Sequence, residues 1–215
     1  MACALGRSRH SKELMDSRVR IIGGHWKRSW LPVLALEGLR PTPDRVREAL
    51  FNWLGQDLSG WHCLDLFAGT GVLGFEAASR GAARVTLVER HPKLVRSLEA
   101  VKARLDAQAV AIVQADVGQW LRSTPPRPHD LVLLDPPYHA GWIDRLLPVL
   151  PAWLGAQGRL YVESEFALTD ERLAAGGDYG LEVIRAAKAG QVHYHLLGRK
   201  EAPVQPCGQQ HDGEA

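Results

Sequence analysis

The chain has 215 residues, 46% of them hydrophobic and 23% charged, with three cysteines and a net charge of +2. These are globular values, and the length suits one sizeable domain. The scattered cysteines Cys3, Cys63 and Cys207 exclude a disulfide framework and have no metal-binding spacing. With no stretch apolar enough to cross a bilayer and no apolar signal core, we expect a cytoplasmic protein without a membrane partner.

Positive charge is concentrated at the N-terminus. Residues 1–30 hold seven Lys and Arg residues against Glu13 and Asp16, a net charge of +5 on a chain of +2. This uneven distribution fits a partner with a phosphate backbone. Residues 1–17 lack periodicity and are predicted to form a disordered basic arm, which either stays solvated or becomes ordered on RNA.

A small β-hairpin is predicted over residues 18–38. Residues 19–22 have the pattern of a short strand, Gly23 and Gly24 that of a turn, and residues 26–34 that of a second, irregular strand. Its Trp26 and Trp30 could stack on RNA bases, although packing on the core is expected for at least one of them. The candidate RNA-binding residues of this region are Arg18, Arg20, Trp26, Lys27 and Arg28.

The next predicted element is a helix that Gly55 ends. Thr42 is its predicted N-cap and Pro43 its first helical residue. Apolar residues at helical spacing would face a sheet. They are Val46, Leu50, Phe51 and Leu54. Arg45 and Arg47 are expected to face solvent, with RNA as the alternative.

A glycine-rich turn follows the first strand of the main domain. Leu64-Asp65-Leu66 is predicted to be buried, Gly69, Gly71 and Gly74 follow, and a helical pattern begins at Val72. Strand, glycine turn and helix are the parts of a nucleotide site in a doubly wound α/β fold. Glu89 ends the next strand, where an acid can hold ribose hydroxyls.

Asp65 decides between two interpretations of this turn. The glycine spacing alone fits a dinucleotide-binding dehydrogenase or a purely structural turn. A carboxylate beside the loop would repel a pyrophosphate, but it suits a cation such as the amino group of S-adenosylmethionine. The pattern therefore favours a methyltransferase.

The motif Asp135-Pro136-Pro137-Tyr138 ends another apolar strand. The prolines fix the backbone and remove two donors, which leaves carbonyl groups free to accept hydrogen bonds. A carboxylate, a rigid carbonyl and an aromatic ring are what a planar exocyclic amine requires, because acceptors on both N–H groups support the charge that develops on attack. The alternative is a strand end followed by a proline turn.

Strands and helices alternate from Trp61 onwards, which predicts a parallel sheet with right-handed crossovers. Two final strands share a short link and must be antiparallel. Glu163 lies at a strand end near the predicted site. The predicted strands are 61–66, 84–89, 109–114, 129–134, 158–164, 181–187 and 191–198, and the predicted helices include 72–80, 92–106, 117–122 and 141–153.

On these motifs the sequence resembles the RsmD family, the bacterial 16S rRNA guanine-N2 methyltransferases of class I. The resemblance runs from about Arg18 to Arg199 and differs from the family's usual pattern at residues 27–30. The motifs that carry it are Arg20-Ile21-Ile22-Gly23-Gly24-x-Trp26, the long run from Leu39 to Leu54, the loop from Leu64 to Gly81, and Asp135 to Tyr138.

The resemblance implies a Rossmann-like, seven-stranded α/β sheet, mostly parallel with a reversed last strand, beside the small N-terminal hairpin. Residues 39–200 would form the S-adenosylmethionine-dependent domain and residues 201–215 a disordered tail. It implies methyl transfer from S-adenosylmethionine to N2 of a guanine in 16S rRNA, within a partly assembled small ribosomal subunit, by a monomer.

The implied roles fall into two groups, with no metal site. Thr42 would border the cofactor, and Asp116 would accept from the adenine amine, although it could also cap a helix. The predicted cofactor-binding residues are Thr42, Asp65, Phe67, Ala68, Gly69, Thr70, Gly71, Glu89, Asp116 and Val117. The predicted catalytic residues are Asp135, Pro136, Pro137 and Tyr138.

Three rival functions stay open on the motifs alone. An adenine-N6 methyltransferase can use the same Asp-Pro-Pro-Tyr motif, so only the family resemblance favours guanine. A nicotinamide-dependent dehydrogenase is disfavoured by Asp65. An RNA-binding module without activity is disfavoured because every expected site residue is present.

Overall fold

The computed structural model describes residues 17–36 and 42–200. The predicted tail and all but the last residue of the predicted basic arm lie outside these ranges, as do Leu39, Arg40 and Pro41 of the family motif. Ser17 belongs to the first strand. No helix in the described part of the chain is long and apolar enough to span a membrane.

Seven strands form one sheet in the order β5-β4-β3-β6-β7-β9-β8. The first five are parallel, and β9 runs antiparallel to both β7 and β8. The predicted class I arrangement with its reversed last strand is therefore confirmed. The strands are β3 (His62–Asp65), β4 (Arg84–Glu89), β5 (Val110–Gln114), β6 (His129–Leu134), β7 (Leu154–Ser164), β8 (Leu181–Ala189) and β9 (Val192–Arg199).

Helices cover both faces of this sheet. Apolar residues on successive positions of a strand enter different cores, as Leu133 and Leu134 do, because side chains alternate across a strand. One core holds α1 (Asp44–Leu54), α2 (Val72–Ser79) and α3 (Pro92–Leu105), and the other holds α4 (Val117–Ser123), α5 (Trp142–Leu146) and α6 (Asp170–Gly176). The carboxyl ends of the parallel strands share one edge between these layers.

The N-terminal hairpin pairs β1 (Ser17–Arg20) with β2 (Trp30–Val33) in antiparallel register. The predicted start of the second strand at Trp26 is wrong. Residues 25–28 form a turn, in which the Arg28 N–H donates to the Ile21 carbonyl at 2.8 Å. Gly24 has a φ of 72° and packs on the Ser79 backbone where a Cβ would collide, so this position of the hairpin requires glycine.

The single helix predicted over residues 141–153 is also wrong. Helix α5 ends at Leu146, a 3-10 helix covers Leu150–Trp153, and β7 already begins at Leu154 rather than at residue 158. Pro148 and Pro151 lack the N–H groups that a continuous helix needs. The expected helix termination at Gly55, with a φ of 98°, is confirmed.

A buried ion-pair network fixes α1 to α2. Arg47 of α1 and Glu76 of α2 are both 0% exposed, and Arg47 Nη1 lies 3.2 Å from Glu76 Oε2. Arg80 Nη2 lies 2.9 Å from Glu76 Oε1. The expectation that Arg47 faces solvent is therefore wrong, because its charge is satisfied inside the protein.

The same carboxylate holds the hairpin. Glu76 accepts the N–H groups of Ile22 and Gly23 at 2.8 and 2.7 Å, and Arg47 Nη1 donates to the Arg20 carbonyl at 2.8 Å. Ser79 adds a hydroxyl that accepts from the Trp26 N–H at 2.9 Å. Three separate elements thus depend on one buried acid.

We expect Glu76→Ala to destabilise the protein by roughly 3–5 kcal/mol, because it leaves Arg47 buried without its partner. Glu48→Ala, on the exposed side of α1, is the matched control and should change the free energy of unfolding by less than about 1 kcal/mol. Urea unfolding of both variants measures this. Equal effects for the two would contradict a structural role for the network.

Candidate active site

Three acids lie at the carboxyl ends of neighbouring strands. Asp65 ends β3, Asp135 directly follows β6, and Glu163 is next to last in β7. The register pairs Asp65 with Leu133 and Leu134 with Val162, so Asp135 and Glu163 lie side by side. Strand alternation directs all three towards the layer that contains α1 and α2. This edge is where ligands bind in open α/β sheets.

Asp65 is the most enclosed of the three acids. Asp65 is 1% exposed, and its Oδ1 has no hydrogen-bond partner among the described residues. Burial raises the pKa of Asp65 from 3.8 to about 7, with hydrogen bonds from the Gly74 and Phe67 backbones opposing the shift. A buried carboxylate with one oxygen that lacks a partner favours a cationic or hydrogen-bond-donating ligand.

The glycine loop follows directly after Asp65 and caps α2. Gly71 is the N-cap residue with a φ of 77°, and a Cβ there would collide with the Phe75 ring. The Ala68 N–H donates to the Val88 carbonyl at 3.0 Å and the Gly69 N–H to Glu89 Oε2 at 2.9 Å. These two amides hold the loop in shape, so the loop offers a ligand its close backbone approach rather than these donors.

Glu89 accepts hydrogen bonds from two backbone N–H groups of the protein. Its Oε2 accepts from Gly69 and its Oε1 accepts from the His91 N–H at 2.7 Å, which connects the ends of β3 and β4. A carboxylate has about four acceptor positions. Two are therefore left for the hydroxyl groups that the sequence assigns to it, and that assignment stays a prediction.

The end of β5 leads into the predicted adenine region. Asp116 caps α4, with its Oδ1 accepting from the Gln119 N–H at 3.1 Å, and Val117 is buried. The capping alternative is thus realised, while a ligand contact by Asp116 stays a prediction.

Trp142 is a residue that the sequence reasoning missed. Its ring meets Phe67 edge-on at a centroid distance of 5.2 Å and lies over Gly118, so it connects the glycine loop to α4. No spacing in the sequence indicates this contact, because residues 67 and 142 belong to different crossovers.

Thr42 contacts Asp135 instead of capping α1. Its predicted N-cap role is wrong, because Pro43 occupies that position and no side chain caps the helix. The Thr42 hydroxyl donates to Asp135 Oδ2 at 3.4 Å, and Arg47 Nε donates to the Thr42 carbonyl at 3.2 Å. Burial, followed by the charges of Glu163 and Asp65, raises the pKa of Asp135 well above its ordinary value, and Thr42 opposes the shift.

The rest of the Asp-Pro-Pro-Tyr motif forms the outer wall. Pro136 is buried, Pro137 is exposed and Tyr138 is half-buried, with its ring edge-on to His139 at 6.4 Å. The His139 N–H donates to Glu165 Oε1 at 2.7 Å. Glu165, for which the sequence indicates no role, thus ties the loop after β7 to this wall.

Glu163 completes the cluster. It is 3% exposed, and the Tyr161 hydroxyl donates to its Oε1 at 3.0 Å. Burial raises the pKa of Glu163 to about 7, while the hydrogen bond from Tyr161 opposes the shift.

A cleft of about 310 Å³ lies between the hairpin and the start of α1. Its lining includes Arg18, Arg20 and Trp30 from the hairpin, and Thr42 and Asp44 from the start of α1. Arg20 Nε donates to Asp44 Oδ2 at 2.8 Å, and Trp30 is 50% exposed.

The other predicted RNA-binding residues lie outside the cleft. Trp26 packs edge-on against Phe75 at 6.5 Å, in agreement with core packing for one of the two tryptophans. Lys27 and Arg28 are exposed in the hairpin turn.

The chain is similar in sequence to a known protein family and to proteins named as methyltransferases. The family model described as "Conserved hypothetical protein 95" matches residues 19–198. Ribosomal RNA small subunit methyltransferase D of Escherichia coli (strain K12) is 39% identical over 187 residues, which cover 86% of this chain and 92% of that protein. The Haemophilus influenzae protein of the same name is 44% identical over 154 residues, which cover 68% of this chain and 79% of that protein.

The chain belongs to the RsmD family. The solved structure of yhhF from Escherichia coli is similar, with a TM-score of 0.74 and 39% identity over 86% of this chain and 99% of that one. Membership in the RsmD family and the class I fold, both implied by the sequence motifs, are thereby confirmed.

Asp65→Asn should change how the stability of the ligand-free protein depends on pH. Folding raises the pKa of the Asp65 carboxyl, so the free energy of unfolding of the wild type falls as pH rises from about 4 through 7. The amide cannot ionise, so we expect the variant to gain about 2–4 kcal/mol relative to wild type between pH 4 and pH 8. Urea unfolding across this range measures it, with exposed Asp144→Asn as control. Parallel curves for wild type and Asp65→Asn would contradict the assignment.

Proposed function

We propose that this protein transfers the methyl group of S-adenosylmethionine to the exocyclic N2 amine of a guanine in 16S rRNA of the small ribosomal subunit. The observation that carries the proposal is the edge formed by Asp65, Asp135 and Glu163, where no Lys or Arg of the described residues forms an ion pair. Carboxyls of this kind, buried at Asp65 and Glu163 and partly buried at Asp135, favour ligands that bring positive charge and N–H groups.

The residues present fit S-adenosylmethionine. Asp65 offers an unpaired acceptor for an ammonium group, Gly71 permits close approach of the backbone, and Glu89 keeps acceptor capacity for ribose hydroxyls. Asp116 and Val117 would hold the adenine. When bound, S-adenosylmethionine supplies an electrophilic methyl group.

The Asp-Pro-Pro-Tyr wall would position the amine. The Asp135 carboxylate and the Pro136 carbonyl accept its two N–H groups, which favours a more pyramidal nitrogen and supports the developing positive charge. Tyr138 stacks on the base. Most of the rate enhancement then comes from orientation, and the guanine has to be unpaired or flipped out of its stack.

The RNA partner is supported by the names of the relatives and by the cleft. The Escherichia coli and Haemophilus influenzae proteins are named ribosomal RNA small subunit methyltransferases. Arg18 and Arg20 beside Thr42 would bring phosphates close to Asp135. We further propose that a cytoplasmic monomer acts on a partly assembled small subunit.

The alternative functions, a dehydrogenase and an adenine-N6 methyltransferase, would use the same residues differently. A pyrophosphate would lie beside the carboxylate of Asp65, which disfavours a dehydrogenase. An adenine-N6 methyltransferase would use Asp135 in the same way, so the product nucleoside has to separate it from a guanine-N2 enzyme.

The decisive experiment measures transfer of tritiated methyl groups to naked 16S rRNA, small subunits and DNA, followed by nucleoside analysis. We expect N2-methylguanosine from the subunit. Asp135→Ala should raise the barrier by about 3 kcal/mol or more while S-adenosylmethionine affinity survives, because Asp135 is assigned to the amine. Exposed Asp144→Ala is the control. N6-methyladenine as product, or calorimetry showing a collapse of cofactor affinity in Asp135→Ala, would overturn the respective assignment.

Replacing Arg18, Arg20, Lys27 and Arg28 together with Ala should weaken RNA binding without changing cofactor affinity. A variant that neutralises fewer phosphates releases fewer counterions, so the slope of log K against log salt should flatten by roughly 0.7–0.9 for each phosphate that is no longer bound. Turnover should fall less at saturating RNA than at low RNA.

A double variant of exposed Arg185 and Lys188 on β8 is the control for general loss of positive charge. Salt titrations of RNA binding and cofactor calorimetry measure both variants. An unchanged slope in the hairpin variant would place the RNA surface elsewhere.

A further inference from the structure

Asp135 and Glu163 form a pair by their position in the sheet. Leu134 and Val162 are partners in the parallel ladder of β6 and β7, so the residues that follow them lie at the same level. Because side chains alternate, both acids point to the face that carries α1. Their proximity is therefore built into the sheet and does not depend on a loop.

Two hydroxyl groups support this pair from either side. Tyr161 donates to Glu163 at 3.0 Å and Thr42 donates to Asp135 at 3.4 Å. The Thr42 backbone is itself held by buried Arg47. Neither acid forms an ion pair with a basic residue in the described ranges.

The groups that face the pair are acids and phenols. Asp65 approaches from β3, Tyr161 lies on β7, and Tyr194 of β9 is the ladder partner of Glu163. Burial raises the pKa of both acids, and the charge of Glu163 raises that of Asp135 further. Two adjacent carboxyls, of which Glu163 is buried and Asp135 partly buried, cannot both ionise cheaply, so they titrate as one unit.

We propose that Glu163 is a positioning residue that acts through Asp135, so that the two carboxyls form one proton-accepting pair in methyl transfer. This inference rests on the proposed function. As the amine nitrogen attacks, the bond between nitrogen and the methyl carbon forms. At the same time the carbon–sulfur bond breaks, and the electron pair of that bond stays with sulfur. The nitrogen, now cationic, releases an N–H proton to Asp135. Glu163 makes Asp135 a stronger base than a lone aspartate, and the proton leaves to solvent after product release.

The test is the pH profile of kcat at saturating cofactor and RNA. Glu163→Gln removes a negative neighbour, so the acidic limb should move to lower pH by about one unit and the plateau should fall roughly tenfold. Thr42→Val removes a donor to Asp135 and should move the limb to higher pH, while Thr42→Ser should keep the wild-type limb. Exposed Glu182→Gln is the matched control.

A limb that stays in place for both Glu163→Gln and Thr42→Val, with rates reduced equally at every pH, would show that these residues are only structural and would overturn the proposal. If Glu163→Gln does not fold, the contrast between Thr42→Val, which should move the limb, and Thr42→Ser, which should keep it, decides alone. Thermal melting and cofactor calorimetry check the folding of every variant.

Infrared absorption of protonated carboxyl groups, measured without RNA, tests the pair independently of activity. In wild type, absorption should persist above pH 6, where exposed acids are ionised. Glu163→Gln should lose part of it and titrate the remainder at lower pH, and identical titrations would overturn the pair. A wild type that methylates nothing but shows this difference would instead contradict the proposed function.

Discussion

The buried ion pair between Arg47 and Glu76 is the interaction on which the site depends. Glu76 uses its two oxygens for the hairpin backbone, for Arg47 and for Arg80, so α1, α2 and the hairpin have one common anchor. Arg47 passes this constraint on, because its Nε holds the Thr42 carbonyl. An ion pair this deep gains little net stability, but it strictly fixes the positions of the elements that satisfy it.

A second constraint works against stability. Asp65, Asp135 and Glu163 are brought together at the strand ends without a basic neighbour in the described part of the chain, and burial raises the pKa of each. The ligand-free protein thus carries an electrostatic cost at neutral pH. Ligands that bring positive charge and N–H groups relieve that cost, which couples affinity and selectivity to the same carboxyls.

Much of the fold was predictable, because it depends on local patterns. Strand and helix alternation and the short link before β9 predict a parallel sheet that ends in an antiparallel pair, and strand-end motifs place Asp65 and Asp135 at one edge. The failures are contacts between distant segments. A sequence pattern assigns Thr42 to a helix cap and Arg47 to solvent, since nothing local shows that Asp135 and Glu76 take up these side chains. The helix after residue 141 failed for a local reason, the prolines at 148 and 151, whose missing N–H groups outweighed the apolar pattern.

Thr42 links the cleft beside the hairpin to the acids at the strand ends. It lines the cleft with Arg18 and Arg20, and its hydroxyl reaches Asp135. Arg20 in turn contacts Asp44, which also binds Arg47 at 2.6 Å, so a phosphate that draws Arg20 away would leave Asp44 to Arg47 alone. Arg47 holds the Thr42 carbonyl, and therefore the geometry of the hairpin is transmitted to Asp135 through four hydrogen bonds. In such an arrangement the cleft beside the hairpin and the Asp135 carboxyl cannot be adjusted separately.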